Sequence, residues 1–73
     1  MPEIKIITEV AGRICATPVQ VGGTVGDGDE IVLVEAMKME IPVPSPVSGT
    51  LKSLLVKIDD FVAEGQAIAI VAS

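Results

Sequence analysis

Valine, isoleucine and leucine recur at alternate positions in short stretches of this chain: Val19 and Val21, Ile31 and Leu33, Ile41 and Val43, Ile68 and Ile70. A period of two is that of a strand with one face buried. Gly and Pro cut these stretches apart, with turn-like clusters at Gly22-Gly23, Gly26-Asp27-Gly28 and Asp59-Asp60. Helical spacing never runs far enough between these breakers to support a helix of ordinary length. The pattern predicts an all-β fold. Pro42, Pro44 and Pro46 have no backbone donor, so their stretch is expected at a sheet edge or outside the sheet. Gly28 and Gly65 are expected in turns that need positive φ.

The chain also matches itself. Sliding it by 37 residues sets Glu3–Ala36 against Glu40–Ser73 without a gap. Gly12/Gly49, Val19/Val56, Val25/Val62, Gly28/Gly65, Ile31/Ile68 and Val34/Val71 are among the identical pairs, and Ile6/Val43, Ile14/Leu51 and Leu33/Ile70 exchange one aliphatic for another. A repeat of this kind predicts two equivalent halves, 3–36 and 40–73, within a single domain spanning 1–73. About four strands per half gives two four-stranded antiparallel sheets, packed as a flattened β-barrel or sandwich. The halves are joined by Met37-Lys38-Met39 with strand-like residues on both sides, so Met37 and Lys38 are expected at the tip of a hairpin. A side chain there is solvated on several sides and held by the strands beneath it.

Composition narrows the function. Phe61 is the only aromatic residue among 73, so the core must be aliphatic. Cys15 is the only cysteine, which removes disulfides and points to a reducing compartment. The first residues lack the basic start and apolar run of an export signal. Ala67–Ala72 is too short an apolar run to cross a bilayer. A cytoplasmic location is expected. The formal charge is 5 − 10 = −5, the wrong sign for nucleic acid or an anionic membrane. With no histidine, neither the usual general base nor a transition-metal site is expected. Cys15 aligns with Lys52 of the other half, an outward-tolerant position, and reads as an incidental thiol.

Glu35-Ala36-Met37-Lys38-Met39-Glu40 resembles the attachment sequence of biotinyl domains, where an Ala-Met-Lys-Met tetrapeptide carries biotin on its lysine. The similarity extends through Gly28–Val34, Ser45–Leu51 and Phe61–Ile68, and covers the chain from about Ile4 to Val71. The resemblance implies a pseudo-symmetric flattened barrel with biotin covalently bound to Lys38. It further implies a non-catalytic carrier subunit that takes a carboxyl group on biotin from a biotin carboxylase to a carboxyltransferase, often of the acetyl-CoA or another acyl-CoA carboxylase type. A biotin protein ligase is the third implied partner. Met37 and Met39 are expected to serve recognition by ligase or carboxylase, with Glu35 and Glu40 as further docking candidates. Two departures separate this chain from some acetyl-CoA carboxylase carriers. Thr17–Gly23 leaves no room for their protruding segment, and their Pro/Ala-rich N-terminal linker is missing, which suggests a compact, free-standing domain.

Rival readings differ at the same lysine. Lipoyl carriers of 2-oxo acid dehydrogenase-type complexes share the implied fold but typically have Asp-Lys-Ala where this chain has Met37-Lys38-Met39. A non-carrier assembly module leaves the tetrapeptide unexplained. Lysine ammonium groups ordinarily titrate near 10.4, leaving about one in 2,500 neutral at pH 7. Acylation at Lys38 therefore calls for a separate enzyme that activates the acyl group, as biotinyl-adenylate by resemblance, and assists deprotonation. Glu35 and Glu40, if close to it, would hold Lys38 charged.

Overall fold

The computed structural model describes residues 2–73 and contains eight strands and no helix among them. They are β1 (Glu3–Ile7), β2 (Gly12–Ala16), β3 (Thr24–Val25), β4 (Glu30–Ala36), β5 (Met39–Pro44), β6 (Gly49–Leu54), β7 (Phe61–Val62) and β8 (Ala67–Ala72). Two four-stranded antiparallel sheets result, with strand orders β1-β8-β6-β3 and β5-β4-β2-β7. The expected fold class is the observed one. The central strands β4 and β8 carry the most continuous apolar runs, and Ile31, Val32 and Val34 of β4 and Ile68, Ala69 and Val71 of β8 are buried. Ile14 and Leu51, from β2 and β6, are fully buried in the same aliphatic core. Burying a side chain of this size contributes roughly 1.5–3 kcal/mol.

A shift of 37 residues, forward for β1 and β3 and back for β6 and β8, maps one sheet onto the other in strand order, and the matching reaches individual hydrogen bonds. The buried Thr8 hydroxyl donates to Val10 O (2.7 Å) and accepts from Val10 N (3.1 Å); the buried Ser45 hydroxyl does the same with Val47 (2.6 and 3.3 Å). Gly28 N donates to Ser45 O, and Gly65 N to Thr8 O, both at 2.7 Å. These bonds tie each half's turn to the other half, so neither half closes its backbone alone. Gly28 and Gly65 have φ of 90° and 86°, as turn glycines should. Gly12 and Gly49 answer a different need. A Cβ on Gly12 would collide with Glu35 O, and one on Gly49 with Ala72 O, so paired strands approach here at backbone contact.

The halves differ at their edges. Pro42 and Pro44 lie in the edge strand β5, opposite Leu33 and Glu30 of β4. Their counterparts in β1 are Lys5 and Ile7, which keep their amide donors. Proline at these positions blunts an open edge. An apolar groove between β1 and β5, bordered by Ile7, Ile41, Pro42 and Pro44, marks this seam and does not include Lys38.

Candidate functional site

Strands β4 and β5 pair from Glu30/Pro44 up to Ala36/Met39, leaving Met37 and Lys38 as a two-residue loop. Both have positive φ, 53° and 64°. This is the type I′ pattern, whose twist matches that of paired strands and whose usual residues are Asn and Gly. An L side chain in this region costs about 1–2 kcal/mol. The tip therefore holds two long side chains in a backbone that favours neither. Met37 is 94% exposed and Met39 64%, and Lys38 is exposed. The Lys38 ammonium makes no hydrogen bond or ion pair among the described residues. A primary amine so placed suits an acyl group: it is reachable from outside, and no partner must be broken to modify it.

The flanking glutamates, which would hold Lys38 charged if close to it, bond elsewhere. Glu35 Oε1 accepts from Arg13 Nη2 at 3.1 Å, and Glu40 Oε2 accepts a long contact from Cys15 Sγ at 3.7 Å. The reason is the pleat: 35 and 40 face each other on the outside of the sheet, whereas 37 and 38 lie beyond the last pair. Arg13 Nη1 also donates to Asp59 Oδ1 at 2.6 Å. Hydrogen bonds to Glu35 first, then Asp59, raise the guanidinium further above its already high range. Cys15 is half-buried, with Sγ 3.4 Å from Leu33 O. Burial, followed by the charge of Glu40, pushes its thiol above the ordinary 9.0, the reverse of what a reactive thiol needs. No cluster of three or more His, Cys, Asp or Glu able to hold a metal occurs among the described residues.

Beside the tip lies an open cleft lined by Ala11, Gly12, Arg13, Glu35, Ala36, Met37, Lys38 and Phe61. Sequence reasoning missed two of these, Arg13 and Phe61. They are cross-strand partners, and Glu40, Glu35, Arg13 and Phe61 form one row across β5, β4, β2 and β7. Phe61, the sole aromatic residue, is 79% exposed. The signal was present in the repeat: the corresponding row in the other sheet is Glu3, Ala72, Thr50 and Thr24, with neither an arginine nor an aromatic ring.

Comparison with known proteins agrees with this geometry. The model of the "Biotin-requiring enzyme" family matches residues 1–71. The chain is 36% identical over 64 residues to the "Biotinylated protein TB7.3 homolog" of Mycobacterium leprae, covering 88% of this chain and 90% of that one. It is 37% identical over 65 residues to the "Biotin/lipoyl attachment protein" of Bacillus subtilis, covering 89% of each. Its fold superposes on part of the Kluyveromyces lactis urea carboxylase with a TM-score of 0.93 at 30% identity, covering 99% of this chain and 6% of that much longer one. An all-β sandwich of this topology, with an exposed and unpaired lysine on the hairpin between its halves, thus belongs to the family of biotin-requiring enzymes, whose cofactor is covalently bound biotin.

Proposed function

We propose that biotin is joined to Lys38 through an amide on Nζ, and that this domain is the carboxyl carrier of a biotin-dependent carboxylase, of the acyl-CoA type. The observation that carries the proposal is the unpaired Lys38 ammonium at the apex of a type I′ turn between two equivalent halves. For the amide to form, Nζ must lose a proton and attack the carbonyl of an activated biotinyl-adenylate, and AMP leaves. No carboxylate among the described residues contacts Nζ, so on this reading a biotin protein ligase supplies the base. Modification replaces an ammonium by a neutral amide and takes the formal charge from −5 to −6. When bound, biotin supplies a ureido nitrogen able to hold a carboxyl group between two active sites.

The chain's own contribution is positional. Four strands under the tip prevent the attachment point from wandering, while the lysine stem remains free to swing. Tethering turns delivery between a biotin carboxylase and a carboxyltransferase into a local search at high effective concentration. On this reading the catalytic acids, bases and metals belong to those partners in the cytoplasm, whose reducing conditions suit a chain with a lone cysteine.

Intact-mass measurement after incubation with biotin ligase, biotin and ATP tests the assignment. The expected result is a gain of one biotinyl group in the unmutated protein and none in Lys38→Arg. No gain in the former, or an equal gain in both, refutes it. Incubation with lipoyl ligase and lipoate in parallel tests the lipoyl reading, which expects its own mass gain at the same residue.

A further inference from the structure

The cleft beside Lys38 has features the fold does not require. The two sheets supply an internal control, because each position in one has a counterpart 37 residues away in the other. Both cleft and counterpart keep the glycine needed for backbone contact, Gly12 and Gly49. Around that glycine the two diverge. Arg13, Glu35 and Phe61 line the cleft, with Asp59 bonded to Arg13 from outside it; Thr50, Ala72, Thr24 and Gly22 take their places at the other end. The second set builds an equally regular sheet, so the first is not needed for the sheet to form. Surface ion pairs such as those of Arg13 contribute little to stability, and an aromatic ring that is 79% exposed contributes little to the core.

The chemistry of the set is specific. Arg13 uses two of its five N–H donors on Glu35 and Asp59, leaving donors beside two carboxylates whose oxygens can still accept. Donors and acceptors side by side match a cyclic urea, which presents one carbonyl acceptor between two N–H donors. Phe61 and the 94%-exposed Met37 add an apolar shelf next to this polar row. Such a shelf suits a saturated thioether ring, since sulfur packs favourably against aromatic edges. Biotin is a cyclic urea fused to a thioether ring. Lys38 itself lines the cleft, so a group on Nζ reaches it by folding back.

We propose that this cleft is a resting site for the biotin ring on its own carrier, with the ureido group on Arg13 and its carboxylates and the thioether ring on Phe61. The inference rests on attachment at Lys38. A tethered ring needs only weak intrinsic affinity to rest there, because its effective concentration is in the millimolar range. Partner sites would then draw the ring from a held position, and the resting site would lower the fraction exposed between deliveries.

Phe61 makes the test clean. With no Trp, Tyr or His in the chain, every aromatic side-chain proton resonance belongs to Phe61. The experiment compares proton NMR spectra of the full chain before and after ligase treatment, with biotinylation confirmed by intact mass. The proposal expects the Phe61 ring resonances to shift on biotinylation and to show NOEs to biotin ring protons. It also expects streptavidin to capture biotinylated Phe61→Ala about two- to fourfold faster than the parent, the reciprocal of the undocked fraction. Thr24→Ala, the counterpart substitution, should leave capture unchanged. Full biotinylation by mass, with unshifted Phe61 resonances and no NOEs, overturns the resting site while leaving the attachment site standing. No mass gain overturns attachment at Lys38 instead. If Phe61→Ala is poorly folded, Phe61→Leu and Arg13→Gln serve in its place, and unchanged capture in both, with folding verified by the amide spectrum, also overturns the proposal.

Discussion

Two ends of this molecule are built from the same plan and finished differently. Where β4 meets β5, the chain runs through Met37 and Lys38 at positive φ, flanked by Arg13, Glu35 and Phe61. Where β8 meets β1, the corresponding contact is Ser73 N donating to Pro2 O at 3.0 Å, flanked by Thr50, Ala72 and Thr24. The shared features, such as the buried Thr8 and Ser45 hydroxyls and the close glycines, are what two sheets need to pack and to satisfy their turns. Of the unshared features, Arg13, Glu35 and Phe61 gather around one lysine, while Pro42 and Pro44 blunt the edge of β5. Pseudo-symmetry therefore separates residues kept for folding from residues free to serve function, within a single chain.

The largest expected effect tests the shared part. Ile14 and Leu51 are counterparts and both fully buried. Ile14→Ala and Leu51→Ala should each cost about 3 kcal/mol, measured by urea unfolding, and lower the thermal midpoint by more than about 10 °C. A difference of more than about 1.5 kcal/mol between them would break the equivalence of the two cores. A smaller effect of opposite sign is expected at the tip. Met37→Asn should raise stability by about 0.5 kcal/mol, because Asn tolerates the left-handed conformation better than Met; no gain in the unfolding midpoint would mean that the tip stores no backbone strain. The smallest effect concerns the bulge positions Cys15 and Lys52, where one half has a thiol facing Glu40 and the other an ammonium paired with Glu3. Burial and Glu40 raise the Cys15 thiol above 9.0, so at pH 8 the folded chain holds less thiolate than the unfolded one. Iodoacetamide should therefore alkylate the native protein more slowly than the urea-unfolded protein. Glu40→Gln should speed the native reaction modestly, since the charge of Glu40 ranks behind burial among the causes and Glu35 still acts; no change would mean that Glu40 contributes nothing to the shift.

The alternating aliphatics, the turn glycines and the prolines made the strands and the edge legible, because strand period and backbone permissiveness are local properties. The shift of 37 residues made the pairing of halves legible as well, since equivalent sequences take equivalent places. Other features were not local. That Glu35 turns to Arg13 rather than to Lys38 follows from which face of the pleat each residue occupies once β2 lies beside β4. No local feature of the sequence assigns Phe61 a role at the tip; pairing of β7 with β2 sets it in the cleft beside Lys38.

By itself the sequence determined the all-β class, the two-fold plan, the hairpin and the lysine at its tip, since each depends on near neighbours or on internal repetition. Only the tertiary structure decided what surrounds that lysine. Arg13, Phe61 and Asp59 are distant from it in the chain; strand register brings Arg13 and Phe61 to its cleft, and the bonds of the Asp59-Asp60 turn to the Ile14 backbone set Asp59 against Arg13.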